Sequence, residues 1–106
     1  MTVPKLIRDN KVAVLLVRAY GSGWFSWYGG EEKLFDPILV ELVLKNKDGS
    51  RILDIHDYCH KTYPDCVVSD FDVEWVDIDR PFMVKEYDGY ESIAFQDEIK
   101  WIVGSE

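Results

Sequence analysis

The apolar positions along this chain switch between two periods, and the switches mark out its elements. From Lys11 to Ala19 the run KVAVLLVRA is almost continuously apolar and rich in β-branched residues, the pattern of a central strand covered on both faces. Asp36-Pro37 then supplies a helix start, with Asp as N-cap and Pro at the first helical position. Leu39, Val40, Val43 and Leu44 follow at helical spacing, and Asp48-Gly49 ends the segment. Ile52, Ile55, Cys59 and Tyr63 repeat that spacing and predict a second helix from Arg51 to Tyr63, capped by Ser50. Pro64 closes it, because the residue before a proline is pushed out of helical geometry. Val73, Trp75, Val76 and Ile78 suggest a strand. Phe82 to Tyr87 and Tyr90 to Phe95 flank Asp88-Gly89, a pair suited to a two-residue hairpin turn with positive φ at both positions. Glu98 to Val103 predicts a short strand or helical turn that brings in Trp101. The order β-α-α-β-β-β predicts one α+β domain over residues 1–106. Its expected form is an antiparallel or mixed sheet of about four to five strands with two helices on one face.

Composition adds that this single core needs no disulfide or metal, since 47% of the residues are apolar. No stretch approaches the roughly 20 apolar residues of a membrane-spanning helix. Met1 to Asn10 mixes Lys5, Arg8 and Asp9 with short apolar runs and lacks the pattern of a signal peptide. The expectation is a soluble, intracellular protein in which Cys59 and Cys66 are free thiols.

Charge is divided unevenly. Residues 1–53 carry eight basic and six acidic side chains, and residues 54–106 carry four basic and fourteen acidic. Asp65, Asp70, Asp72, Glu74, Asp77 and Asp79 form an acidic stretch with no base among them. Such a field disfavours direct nucleic-acid binding and favours a basic partner. Asp70, Asp72, Asp77 and Asp79 are the candidate residues for such a partner, and a solvated face is the plainer reading.

Residues 20–28 (YGSGWFSWY) place five of the chain's aromatic residues among glycine and serine. Trp and Tyr offer broad apolar faces with a polar tip, and glycine lets a backbone approach a ligand closely. Tyr20, Gly21, Gly23, Trp24, Trp27 and Tyr28 are therefore candidates for a site that stacks on a planar ligand. A hydrophobic plug over the protein's own core is the competing reading. Counting outward from Asp88-Gly89 pairs Glu86 with Glu91 across the hairpin, on the face shared by Val84, Ile93, Phe82 and Phe95. Two opposed carboxylates repel unless something compensates, so Glu86 and Glu91 join the candidate ligand set, with two solvated side chains near a hairpin tip as the plainer reading. A carboxylate pair can also serve acid–base catalysis.

His56, Cys59, His60 and Cys66 are potential zinc ligands, but their spacing matches no common structural zinc pattern, and no metal is expected. Gly21-Ser22-Gly23 lacks the lysine and helix start of a phosphate cradle. No cofactor fingerprint is present.

Three stretches resemble a group of small tailed-bacteriophage proteins. VAVLLVRAYGSGWFSWYG is similar to that group's AVL…GYGxGWxxW opening. LFDPILVELVL is similar to its LFDPxIVExVL helix start, and VEWVDIDRPFMVKEYDGYESIAF to its VEWVPxGxxFRIxEYDGxES segment. The chain departs from the pattern at Arg18-Ala19 and at Asp77-Ile78-Asp79. The resemblance implies a phage accessory protein acting in the cytoplasm of an infected bacterium, where counter-defence is a common role. The expected function is a non-enzymatic protein that sequesters a small nucleotide-like ligand. An acidic inhibitor of a basic host defence protein is the alternative, and a carboxylate-pair enzyme the third reading. Self-association is left open.

Overall fold

The computed structural model describes residues 3–18, 23–46, 49–50, 52–64 and 71–96. In chain order the elements are β1 (Ile7–Arg8), β2 (Lys11–Val17), α1 (Phe25–Tyr28), α2 (Glu31–Phe35), α3 (Pro37–Lys45), α4 (Ile52–Thr62), β3 (Phe71–Asp77), β4 (Phe82–Tyr87) and β5 (Tyr90–Phe95). The fold is α+β and every strand pair is antiparallel. The strands are distributed over two sheets, a three-stranded β1-β2-β3 and the two-stranded hairpin β4-β5.

β2 is the central strand that its apolar run predicts, with every residue from Val12 to Val17 buried. Alternation along it sends the two sets of side chains to two separate cores. Ala13, Leu15 and Val17 pack with Trp24, Leu39, Val40 and Ile55, beneath α3 and α4. Val12, Val14 and Leu16 pack with Leu34, Phe35 and Val76, and there Phe82, Val84, Ile93 and Phe95 of the hairpin close the layer. The two helices expected from sequence thus cover one face of the sheet, while the hairpin and α2 cover the other.

Asp36 ends α2 and begins α3. Its Oδ1 accepts hydrogen bonds from the backbone N–H groups of Ile38 (3.0 Å) and Leu39 (3.1 Å), the arrangement an N-cap aspartate makes. The hairpin register is the one counted from sequence, with Phe82↔Phe95, Val84↔Ile93, Glu86↔Glu91 and Tyr87↔Tyr90 paired. Asp88 (φ 50°) and Gly89 (φ 92°) both occupy the positive-φ region that such a turn demands.

Three features depart from the expectations. Residues 25–28, within the aromatic glycine-rich stretch read as a loop, form α1, and residues 31–35, to which the pattern assigns no element, form α2, on either side of Gly29-Gly30. A short strand, β1, precedes β2 through a turn in which Asp9 (φ 53°) and Asn10 (φ 61°) are left-handed. Ile78 lies just beyond β3 rather than within it, its N–H bonded to Asn10 O at 3.0 Å. The Glu98–Val103 element and the Ser50 cap's neighbour Arg51 fall outside the described residues.

Candidate functional site

The aromatic segment is built around a carboxylate that comes from the hairpin. Trp24 occupies the N-cap position of α1 and has no side-chain oxygen with which to cap it. Glu91 Oε2 does so instead, accepting from Trp24 N (3.1 Å), Ser26 N (2.8 Å) and Ser26 Oγ (2.6 Å). Its Oε1 accepts from Val17 N at the end of β2 (2.9 Å). A negative group at a helix start is favourable because the first N–H groups have no partner within the helix. Glu91 is fully buried, and these four donors compensate its charge. Arg18 adds a further tie, donating from Nη1 to Glu91 O (3.1 Å) and from Nη2 to Glu74 Oε1 (3.3 Å). The two sheets are joined here.

Trp24 is fully buried. Its ring meets Tyr63 and Phe71 edge to face, at centroid distances of 5.3 and 5.0 Å, and its Nε1 donates to Lys33 O at 2.9 Å. It fills the core beneath α3 and α4, the plug arrangement among the two readings of this segment. Trp27, by contrast, is 48% exposed. Its Nε1 donates to Glu86 Oε2 at 2.8 Å, and Gly89 N donates to the same oxygen at 2.6 Å. The Trp27 indole, followed by the Gly89 amide, holds the Glu86 carboxyl below the usual glutamate range. Gly23 is buried, and a β-carbon there would lie 2.5 Å from Ser26 Oγ and 2.8 Å from Trp27 Cδ1. Tyr28 packs on the first core. Tyr20 and Gly21 lie outside the described residues. The structure therefore brings Gly23, Trp24, Trp27, Glu86 and Glu91 together, and turns Trp24 and Glu91 inward as framework.

The concave surface beside this framework is a groove of about 480 Å³ between α2 and β4. Phe25, Leu34, Phe35, Phe82, Met83 and Val84 line it, with Lys5 and Glu31 as its charged members. Phe35 and Phe82 meet edge to face at 6.4 Å, and Lys5 Nζ stands 4.7 Å from the Phe35 ring centroid. Of these residues only Phe25 belongs to the aromatic motif. The others come from α2, β4 and the N-terminal segment, and only the shared face of Phe82 and Val84 was visible in the sequence.

A second buried carboxylate borders the same core, beneath α3 and α4. Asp36 Oδ2 accepts from the hydroxyls of Tyr58 (2.7 Å) and Tyr63. Burial, and then the hydrogen bond to Asp36, push the Tyr58 phenol up to about 12 and raise Tyr63 as well. Sequence patterning placed Tyr63 on the core face of a helix expected to run from Arg51 to Tyr63, whereas α4 ends at Thr62, and it gave no sign of the Tyr63 bond to the α3 cap.

In the acidic stretch, Asp72 and Glu74 on β3 face Arg18 at 3.6 and 3.3 Å. Asp77 and Asp79 are exposed, and Asp70 lies outside the described residues. His56 and His60 are exposed on α4, Cys59 packs against the first core, and Cys66 is not among the described residues. Among the described residues no group of three or more His, Cys, Asp or Glu side chains is placed to hold a metal, and no helix is long and apolar enough to cross a membrane. No protein-family model, curated protein or solved structure matches the chain.

Proposed function

We propose that this chain is a non-enzymatic binding protein that sequesters a small nucleotide-like ligand in the groove between α2 and the hairpin. The observation that carries this reading is the groove itself. Its volume falls in the range of small-ligand sites, which are mostly apolar with a few polar groups that fix orientation. Phe25, Phe35 and Phe82 supply ring faces and edges for a base, Lys5 a cation for a phosphate, and Glu31 an acceptor for an amine or hydroxyl. Trp24 and Glu91 hold the framework and are not ligand contacts in this scheme. Trp27 and Glu86 border the same face of the hairpin.

No catalytic role is assigned to Glu86 and Glu91, because Glu91 is saturated by four donors. The phage setting and the counter-defence role rest on the sequence resemblance. The acidic-inhibitor reading draws on Asp77 and Asp79. Asp72 and Glu74 contribute less to it, since Arg18 faces both.

Calorimetric titration of the purified protein with nucleoside mono-, di- and triphosphates and cyclic dinucleotides tests the groove. At least one should bind with Kd below about 1 mM, and both Met83→Glu and Lys5→Glu should weaken it without lowering the melting temperature. Absence of binding across the panel, or binding indifferent to both substitutions, would sink the proposal.

A further inference from the structure

The opposite face of the three-stranded sheet carries a second concavity, of about 350 Å³, lined by Arg8, Asp9, Lys11 and Trp75. Arg8 and Lys11 are direct cross-strand partners on either side of the Asp9-Asn10 turn. Like charges placed opposite each other destabilise a ladder. Among the described residues neither Arg8 nor Lys11 forms an ion pair. Even Asp77, in register with Lys11 on β3, makes none with it. Two cations thus stand opposed across the ladder without a direct ion pair among the described residues, with Asp9 in the same lining and Asp77 in register as the neighbouring carboxylates. The Arg8 guanidinium carbon stands 5.8 Å from the Trp75 ring centroid, so both charges border a half-buried indole.

We infer that this end of the sheet binds a small phosphate ester of a planar ring, of which a nucleoside monophosphate is the simplest member. Arg8 and Lys11 take the phosphate, which relieves their mutual repulsion. The Trp75 ring receives the planar group, as aromatic side chains receive bases in sequence-tolerant sites. Asp9, the carboxylate of the lining, accepts from a sugar hydroxyl and disfavours a ligand that is anionic throughout. The left-handed conformations of Asp9 and Asn10 hold the turn, so Arg8 and Lys11 are presented by a fixed two-residue link. This site is independent of the groove, which lies across the sheet and uses Lys5 from the same N-terminal segment.

The test is a two-dimensional amide NMR titration with adenosine monophosphate, run beside adenosine alone and inorganic phosphate alone. Adenosine monophosphate should shift the Arg8, Lys11 and Trp75 signals, and each half-ligand should bind about tenfold more weakly or worse. The Arg8→Gln, Lys11→Gln double variant should lose about tenfold or more in affinity. Without ligand it should melt no lower than wild type, because both side chains are exposed and their repulsion is gone. Lys5→Glu, which alters the groove, should leave this binding in place. The inference is overturned if the nucleotide shifts only groove signals such as Leu34 and Met83, or if inorganic phosphate alone binds as tightly as the nucleotide. It is also overturned if wild type does not bind, or if the double variant binds like wild type.

Discussion

Glu86 and Glu91 are direct partners across the β4-β5 ladder, yet one carboxylate stands in solvent while the other is sealed inside the protein. The repulsion that their pairing implies is relieved by separate donors. Trp27 and Gly89 serve Glu86, and Val17, Trp24 and Ser26 serve Glu91. Their substitutions should therefore differ sharply. Glu91→Ala strands buried N–H groups on β2 and α1 and should cost about 3 kcal/mol or more, since each unsatisfied donor costs about 1–3 kcal/mol. Glu91→Gln keeps the shape and one acceptor oxygen and should cost less. Glu86→Ala should leave the urea midpoint close to wild type. Equal losses for the two alanine variants would contradict the division of roles.

The two tryptophans of the segment should separate in the same way. Trp24→Ala removes a fully buried ring and should cost about 3–5 kcal/mol. Trp27→Ala, at a half-exposed position, should change stability by less than about 1 kcal/mol. Thermal melts followed by circular dichroism give both values.

Glu86 reports on Trp27. Its carboxyl should titrate below the ordinary glutamate range in a carbon-detected NMR pH series, and Trp27→Phe, which removes the indole N–H, should bring it back up. The sign follows from linkage. A depressed carboxyl favours the folded state above the unfolded pKa, and that contribution fades as pH falls through the folded value. A Glu86 titration unchanged by Trp27→Phe would mean that the hydrogen bond does not persist in solution.

At the alkaline end the tyrosines take over. The Tyr58 phenol is raised from 10.0 to about 12 and Tyr63 is raised too, so the folded state holds these protons more tightly than the unfolded chain. The stability they contribute is complete below about pH 10 and drains as pH rises through the folded values. The Tyr58→Phe, Tyr63→Phe double variant should be less stable at neutral pH but show a flatter alkaline limb in urea melts. A limb as steep as that of wild type would remove the two phenols from the account.

Local pattern carried far into this fold. The β2 run, the Asp36-Pro37 start and the Asp88-Gly89 turn each contain their own physical reason within a few residues, and all three elements stand where those reasons place them. The misses have causes that a local pattern does not carry. The start of α1 is capped by Glu91, 65 residues from Ser26 in sequence, and no window around Trp24 contains that oxygen. β1 has two residues, too few to display a period. Of the site, the inward turn of Trp24 was one of two readings open in the sequence, and Trp27 and Glu86 stood in one candidate set with no sign of the hydrogen bond between them. The groove walls of α2 and β4 emerge only once the hairpin is laid against the sheet.

The Glu91 seam also sets an order of events. Its bonds span 74, 67 and 65 residues, and contacts so distant require closing a long loop before they return any free energy. During synthesis the amides of Val17, Trp24 and Ser26 leave the ribosome well before Glu91 exists. Until the hairpin arrives they have only water as a partner, and the short turn of α1 has no cap. Glu91→Gln should slow refolding more than it speeds unfolding if docking of β4-β5 lies at the barrier. Stopped-flow measurements on this one variant would place the seam before or after the rate-limiting step.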